Sequence, residues 1–494
     1  MRRVCLVNPP NHAYDQYDFA PPLGLMVLAD IAANVGWEPM ILDLGLPQFL
    51  GLADSPDRFY QEALRQILAC DARVVAFTSM AVNSHVSLEL ARLAKERDQR
   101  LVTVVGGPHF SAIHAPLISS FPWIDHVIRG EGETGWRDLM VALSNLPGGV
   151  PSDGGRQRVI NSPHHSAPRH PFNYELVDLP GYFAANDRRV VDYEGGRGCV
   201  FKCSFCYSPA HYPEVREVDP DQIVRDWSRL AQLGFKQVFM VQDNFTNDPR
   251  HAIRVCDALA AARRPLPWNG YSTLPQLTPN VISALGRSGC NAIYLGVDAV
   301  SPAQMSSLNK HFYRDDDRLL GLLNDLRNVG VTPTCAFMID LFDYQPDDFE
   351  MVLRVAIACA SLDIPIRLNT LTRYPGSALF QASRRKVQYS EAKVRLMLDC
   401  PRVVCQNNFA REQPELFPFH ATEIPVDMWT ERLSMVRLAQ PLIQRYHTDL
   451  LDLARGSNDQ IVDGLVRLAS QADELKSQAR AGWQLDLFNR YEAY

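Results

Sequence analysis

Cys199, Cys203 and Cys206 stand in the stretch Glu194-Gly-Gly-Arg-Gly-Cys199-Val-Phe-Lys-Cys203-Ser-Phe-Cys206-Tyr207, at the spacing C-x3-C-x2-C. Thiolate is the soft ligand that iron-sulfur clusters use, and three thiolates on one tight loop can hold three irons of a cubane. The fourth iron is then open to a substrate. Two other readings fit the same residues: a zinc knuckle completed by His211, or three unrelated thiols near a turn. Of the eleven cysteines in the chain, Cys5, Cys70, Cys256, Cys290, Cys335 and Cys359 fall within apolar strand or helix patterns and are expected to be core thiols. Cys400 and Cys405 lack the further partners that a second cluster would need.

A ligand loop needs a rigid support, and residues 190 to about 380 supply a repeat of strand and helix patterns. Strands are expected at 190–193, 237–241, 267–271, 292–297, 332–338 and 364–371. The intervening helices are punctuated consistently: Asp219-Pro220 opens one that ends at Gly234, Thr278-Pro279 one that ends at Gly289, and the helix from Asp316 stops at Gly330. Six βα units fit a partial (β/α)6 barrel. Chemistry in such barrels gathers at the carboxyl ends of the strands, and the cysteine loop follows the first strand.

Residues 1–150 show the same α/β rhythm, with strands expected at 4–7, 38–42, 74–77, 101–105 and 126–128 and helices at 23–35, capped by Gly36, and 84–96. This implies a doubly wound, Rossmann-like sheet, whose ligands bind at the carboxyl ends of the strands. Those ends read Asn8-Pro9-Pro10, Asp43-Leu44-Gly45-Leu46, Thr78-Ser79, Gly106-Gly107-Pro108-His109 and Gly130-Glu131-Gly132-Glu133. Small residues there let a large flat ligand approach the backbone. An empty flavodoxin-like scaffold is the alternative.

Between the two repeats, residues 151–188 and the few before them are rich in Pro, Gly, Ser and His and are expected to be a linker, with His164-His165 a solvated pair. The domain division is therefore 1–150, 151–188, 189–380 and a mostly helical C-terminal segment at 381–494, periodic at 428–446 and 459–479. The 494 residues are 46% hydrophobic and 21% charged, with a formal net charge of −7 and no Lys/Arg-rich run, so nucleic acid is not an expected partner. The N-terminal apolar run is too short for a signal peptide and no stretch of about 18 apolar residues follows. A cytoplasmic protein without membrane contact is expected.

The cysteine spacing with Phe205 before the third thiol resembles the signature C-x3-C-x-aromatic-C of the radical S-adenosylmethionine (SAM) enzymes. The resemblance implies a [4Fe-4S] cluster on Cys199, Cys203 and Cys206 whose open iron chelates SAM, and a 5′-deoxyadenosyl radical formed with an electron from a donor such as flavodoxin or ferredoxin. It implies Asp243 or Asn244 as holder of the SAM amino group and Asp298 as a ribose contact. Asp340 stands where the family usually has Gly beside the adenine, and Arg373-Tyr-Pro-Gly-Ser377 resembles the family's Y-P-G-T turn.

The first 150 residues resemble the cobalamin-binding domain that precedes many radical SAM domains, which implies Ser79, Gly106, Gly107, Pro108, Gly130 and Glu131 as cofactor contacts. The family's D-x-H-x-x-G loop would need His at position 45. Gly45 stands there, so the loop from Asp43 to Gln48 is expected to accept the cofactor's tail without offering an axial imidazole, His85 and His109 being the rival ligands. The resemblance thus implies a methyltransferase acting on an unactivated carbon of a small metabolite or peptide. Alternatives are a radical cyclisation, rearrangement or dehydrogenation without methyl transfer, and a non-catalytic iron-sulfur protein.

Overall fold

The computed structural model describes residues 2–10, 20–145, 158–162, 168–262, 266–343, 345–383, 387–391, 393, 401–454, 461–465 and 468. Two six-stranded parallel sheets organise them. The first contains β1 (Arg3–Asn8), β2 (Glu38–Asp43), β3 (Val74–Phe77), β4 (Val102–Val105), β5 (His126–Gly130) and β6 (Arg158–Ser162), in the order β2-β1-β3-β4-β5-β6. All four residues of β3 and of β4 are buried, because helices cover a doubly wound sheet on both faces and leave no polar side. The order reverses at β1 and β3, where the crevice of such sheets opens. Gly36 ends helix Leu23–Asn34 at φ +86, the left-handed conformation of a helix cap.

The sixth strand lies in the stretch expected to be a linker. It pairs with β5 from His126↔Arg158 to Gly130↔Ser162, and the same stretch goes on to a helix at Leu179–Ala185. Its short apolar run was hidden among polar and Pro/Gly-rich neighbours. His164 and His165 fall outside the described residues.

The second sheet runs β7 (Val190–Tyr193), then, after a ribbon of β8 (Gly196–Arg197) and β9 (Arg216–Glu217), β10 (Gln237–Met240), β11 (Trp268–Ser272), β12 (Cys290–Asp298), β13 (Thr332–Ile339) and β14 (Ile366–Thr370). Its spatial order is the chain order, β7 and then β10 to β14. Right-handed crossovers without a reversal put every helix on one face and curl the sheet into an incomplete barrel. Helix starts carry the expected caps: Asp219 accepts from the amides of Asp221 and Gln222, Thr278 from Val281 and Asp315 from Arg318. The edge strand β14 is closed by side chains, Gln440 and Gln444 accepting from the amides of Leu368 and Ile366 at 2.8 and 3.1 Å. Both glutamines belong to helix Val426–Ala454, which packs on helix Pro346–Ala360.

Residues 401–422 do something else. Val403, Val404, Leu416, Phe417 and Phe419 join the core formed by β1, β3 and β4 with Phe59, Phe110 and Phe121, so the C-terminal segment packs into the first domain and not only against the barrel. Cys405 is buried in that contact. Cys400 and most of 459–479 lie outside the described residues.

Candidate functional site

The cysteine loop leaves β7 through β8 and is pinned at both ends by side chains from beyond β10. The Asp243 carboxylate accepts from the Gly198 amide at 3.1 Å and from the Ser208 hydroxyl at 2.8 Å, thus bracketing the three thiols. Asn247 accepts from the Val200 amide and donates to the Gly198 carbonyl, at 3.1 and 2.8 Å. The far side is tied to residues after β12, Ser204 donating through its amide and hydroxyl to the carbonyls of Leu308 and Ser307. Gly198 has φ +85, and a Cβ there would lie 2.5 Å from the Glu214 carbonyl oxygen, so only glycine makes this turn.

All three thiols are free. Burial pushes Cys203 up to about 11 and Cys206 up to about 12, and raises Cys199, so ligation has to displace their protons. Among the described residues no three His, Cys, Asp or Glu side chains are placed to share a single metal ion. One zinc draws its ligands to about 2.0–2.3 Å from a common point, whereas a cluster presents a separate iron to each thiolate. His211, the fourth ligand of a knuckle, instead has its ring against Tyr207 and Tyr212. The donor set fits a cluster better than a zinc knuckle.

The strand ends around the loop differ in part from expectation. Asn244 is fully buried and saturated: it donates to Asn247 and Gln276 at 3.2 and 2.8 Å and accepts from Thr246 at 3.0 Å. It cannot also hold a SAM amino group, and its work is to orient Asn247. Asp298 ends β12 at φ +58, buried and paired with the ammonium of Lys310. Burial lowers the Lys310 pKa most strongly, but the charge and hydrogen bond of Asp298 together with the neighbouring Cys203 and Cys206 outweigh it and the shift is upward. Phe205 is half-buried against a small apolar cluster of Ala299, Leu308 and Leu371, with its ring 5.8 Å from the Lys310 nitrogen. Asp340 accepts from the Phe342 amide at 2.9 Å and meets Arg373 at 3.2 Å, and Ser377 caps the helix after Gly376.

The crevice of the first sheet opens toward this loop. Its walls include Leu23 and Gly24, Thr78, Gly106 to Pro108 and Gly130 to Glu133 on one side, with Glu194, Arg197, His211 and Tyr212 on the other. A Cβ on Gly107, at φ +92, would fall 2.8 Å from the Ser79 carbonyl oxygen, so the turn needs glycine. Gly106, Pro108 and Gly130 line the crevice as well. Ser79 does not. It is buried outside the crevice lining, donating to the Gly106 carbonyl at 3.2 Å and accepting from the Phe110 amide, and it braces the glycine turn. Glu131 lines the crevice, but both its oxygens are taken by Arg197 and Arg216.

The Asp43 carboxylate at the end of β2 accepts from Gly45 at 2.8 Å, from Asn8 at 2.9 Å and from the Tyr182 hydroxyl. Together with Ile41, Leu46, Val177 and Tyr182 it lines a second cavity of about 670 Å³ beside the edge strand β2. His85 and His109 are buried away from the crevice. The His85 Nε2 lies 3.0 Å from the Val403 carbonyl, and burial drops both rings to about 4. Asn247, Lys310, Arg197 and Arg216 carry no spacing signal in the sequence; only Arg197, inside the cysteine stretch, could have been singled out.

Residues 17–139 match the B12 binding domain family and residues 193–356 the radical SAM superfamily. An uncharacterised methyltransferase of Pyrococcus horikoshii is 24% identical over 397 residues, 77% of this chain and 82% of the relative. The anaerobic magnesium-protoporphyrin IX monomethyl ester cyclase of Synechocystis is 22% identical, with 79% of each chain covered. Among solved structures, the radical SAM methyltransferase TsrM of Kitasatospora setae has the same fold, with a TM-score of 0.63 at 18% identity over 90% of this chain and 89% of that one. With its cysteine loop at the mouth of an incomplete barrel and a glycine-lined crevice facing it, the chain joins a region that matches the B12 binding domain to one that matches the radical SAM superfamily.

Proposed function

We propose that the protein is a methyltransferase that adds a methyl group to an unactivated carbon of a small metabolite or peptide. The observation that carries this reading is the shared wall: Arg197, His211 and Tyr212, which flank the cysteines, also line the glycine crevice of the first sheet. An unactivated C–H group has neither an acidic proton nor a lone pair, so a radical must be made before a methyl group can be added. When bound, the cluster with SAM supplies that radical and cobalamin the methyl group. The chain's own residues bind and orient: Cys199, Cys203 and Cys206 hold the cluster, Asp243 and Asn247 hold their loop, and Gly106, Gly107, Pro108 and Gly130 bring the backbone close to the corrin. Asp298, at the end of β12, is the carboxylate offered to the SAM ribose.

In this reading the first sheet, with its sixth strand at Arg158–Ser162, forms the cobalamin-binding domain, residues 189–380 the radical SAM domain and 381–494 the segment that completes the substrate pocket. The electron comes from an external donor such as flavodoxin or ferredoxin, in the cytoplasm. No helix among the described residues is long and apolar enough to cross a membrane. The Synechocystis relative, a cyclase similar over 79% of this chain, supports a second outcome in which the substrate radical closes a ring. Anaerobic incubation of the reduced, reconstituted protein with SAM, cobalamin and host extract, followed by mass spectrometry, tests both. A product heavier by one CH2 supports methyl transfer. A product lighter by two hydrogens with no methylated species supports cyclisation or dehydrogenation.

A further inference from the structure

Five charged side chains meet where the crevice wall touches the approach to the cysteine loop. Arg197, two residues before Cys199, makes a two-pronged contact with Glu194, at 2.9 and 2.8 Å, and reaches across the boundary to Glu131 and to Glu133, the latter at 2.7 Å. Arg216, paired with Arg197 in the β8–β9 ribbon, reaches the same Glu131. The side chains of Arg197, Glu131 and Arg216 are 10%, 5% and 12% exposed. Burial raises the Glu131 carboxyl, but the hydrogen bond from Arg216 and the charge of Arg197 outweigh it and hold it low. Buried charges are tolerated only in the geometry that pairs them, so such a cluster defines one arrangement of the groups that carry it better than an apolar contact does.

What it arranges is specific. Glu131 stands between Gly130 at φ +105 and Gly132 at φ +99 in a turn that forms the crevice wall. Arg197 adjoins Gly198, whose turn leaves no room for a Cβ beside the Glu214 carbonyl and whose amide donates to the Asp243 carboxylate. One ion contact and two residues of constrained chain therefore join the crevice wall to Cys199. Residues 401–422 meet the first sheet elsewhere, in the core that contains Phe59, Phe110 and Phe121. We propose that Glu131, Arg197 and Arg216 are positioning residues that form a spacer, setting how far and in what orientation the ligand of the crevice stands from the ligand of the cysteine loop. This rests on the reading above in taking the two ligands as cobalamin and the cluster.

The test uses the full chain loaded anaerobically with both cofactors. The reduced cluster is paramagnetic and speeds the spin relaxation of cob(II)alamin to a degree that depends on their separation, so relaxation of the cobalt signal reads the spacing without any substrate. Arg216→Met, which keeps the aliphatic bulk, should change or broaden that enhancement while cobalamin and iron content stay at parental levels, and Arg216→Lys should restore it. An unchanged enhancement in Arg216→Met would overturn the proposal. So would loss of cobalamin with the cluster retained, which would make Glu131 a cofactor contact and not a spacer. If Arg216→Met fails to fold, Glu133→Gln, at the more exposed end of the cluster, should give a smaller change in the same sense, and an unchanged value there is equally adverse. A parent protein that binds no cobalamin, or cleaves no SAM, would instead sink the functional reading before any variant is compared.

Discussion

The groups that hold the cysteine loop come from beyond β10 and beyond β12, which explains why the thiols were legible in the sequence and their supports were not. Cys199, Cys203 and Cys206 announce themselves by spacing. Asn247 and Lys310 act only through positions that the fold creates, and Asn244 carried a family-like position while its amide is spent on Asn247 and Gln276. Cys203→Ala should abolish the four-iron chromophore and the formation of 5′-deoxyadenosine, while Cys405→Ala should leave both in place, as read by absorbance and chromatography after reconstitution. The Asp298–Lys310 pair makes a sharper energetic statement, because removing one partner leaves a charge buried alone. Asp298→Asn should cost about 3–5 kcal/mol in denaturant unfolding, and the double change Asp298→Leu with Lys310→Met clearly less. Glu217 gives a pH dependence. Burial, and then the charge of Asp248, push its carboxyl up to about 7, with His251 at 3.5 Å. The folded protein thus holds this proton more tightly than the unfolded chain, so the contribution to stability is complete below the unfolded value near 4.3 and is lost as pH rises through about 7. The thermal midpoint should fall between pH 5 and 8, and Glu217→Gln should flatten that slope.

At the scale of elements, the strands of both sheets could be placed from their apolar runs, since parallel strands covered on both faces have little choice of composition. The sixth strand of the first sheet escaped because its short run lies among polar residues and because only pairing with β5 makes it a strand. Residues 401–422 show the complementary difficulty: their apolar residues were visible, but the sequence does not say which surface they meet. Phe417 is fully buried in the core of the first sheet, its ring 6.2 Å from that of His109, and Phe409 packs 5.3 Å from Phe121. Phe417→Ala should destabilise the protein by about 3–5 kcal/mol through lost burial and the cavity left behind. Differential scanning calorimetry should show the transition that contains the first sheet moving to lower temperature, even though residue 417 lies far outside that domain in sequence.

At the scale of the whole molecule, the order of a doubly wound sheet followed by an incomplete barrel was readable from the βα rhythm, whereas every contact that joins the two had to come from the structure. Glu131 meets Arg216 across 85 residues of chain, a separation at which sequence patterns carry no register. The first sheet is also incomplete without the end of the chain. A fragment of residues 1–188 would uncover Phe110, Phe121 and the helix-borne residues beneath Val403, Leu416 and Phe419, and is expected to elute as aggregate in size-exclusion chromatography where the full chain does not. The pairing of Val403 with Ala53 at 3.0 Å, and of Arg402 with Asp54 across 348 residues at 3.2 Å, has a counterpart in time. A ribosome adding about 5–20 residues each second needs on the order of tens of seconds to pass from Ala53 to Val403. For that interval the nascent first domain carries an open apolar face outside the exit tunnel, and the burial of His85 and His109 behind the returning segment is among the last events in the birth of the protein.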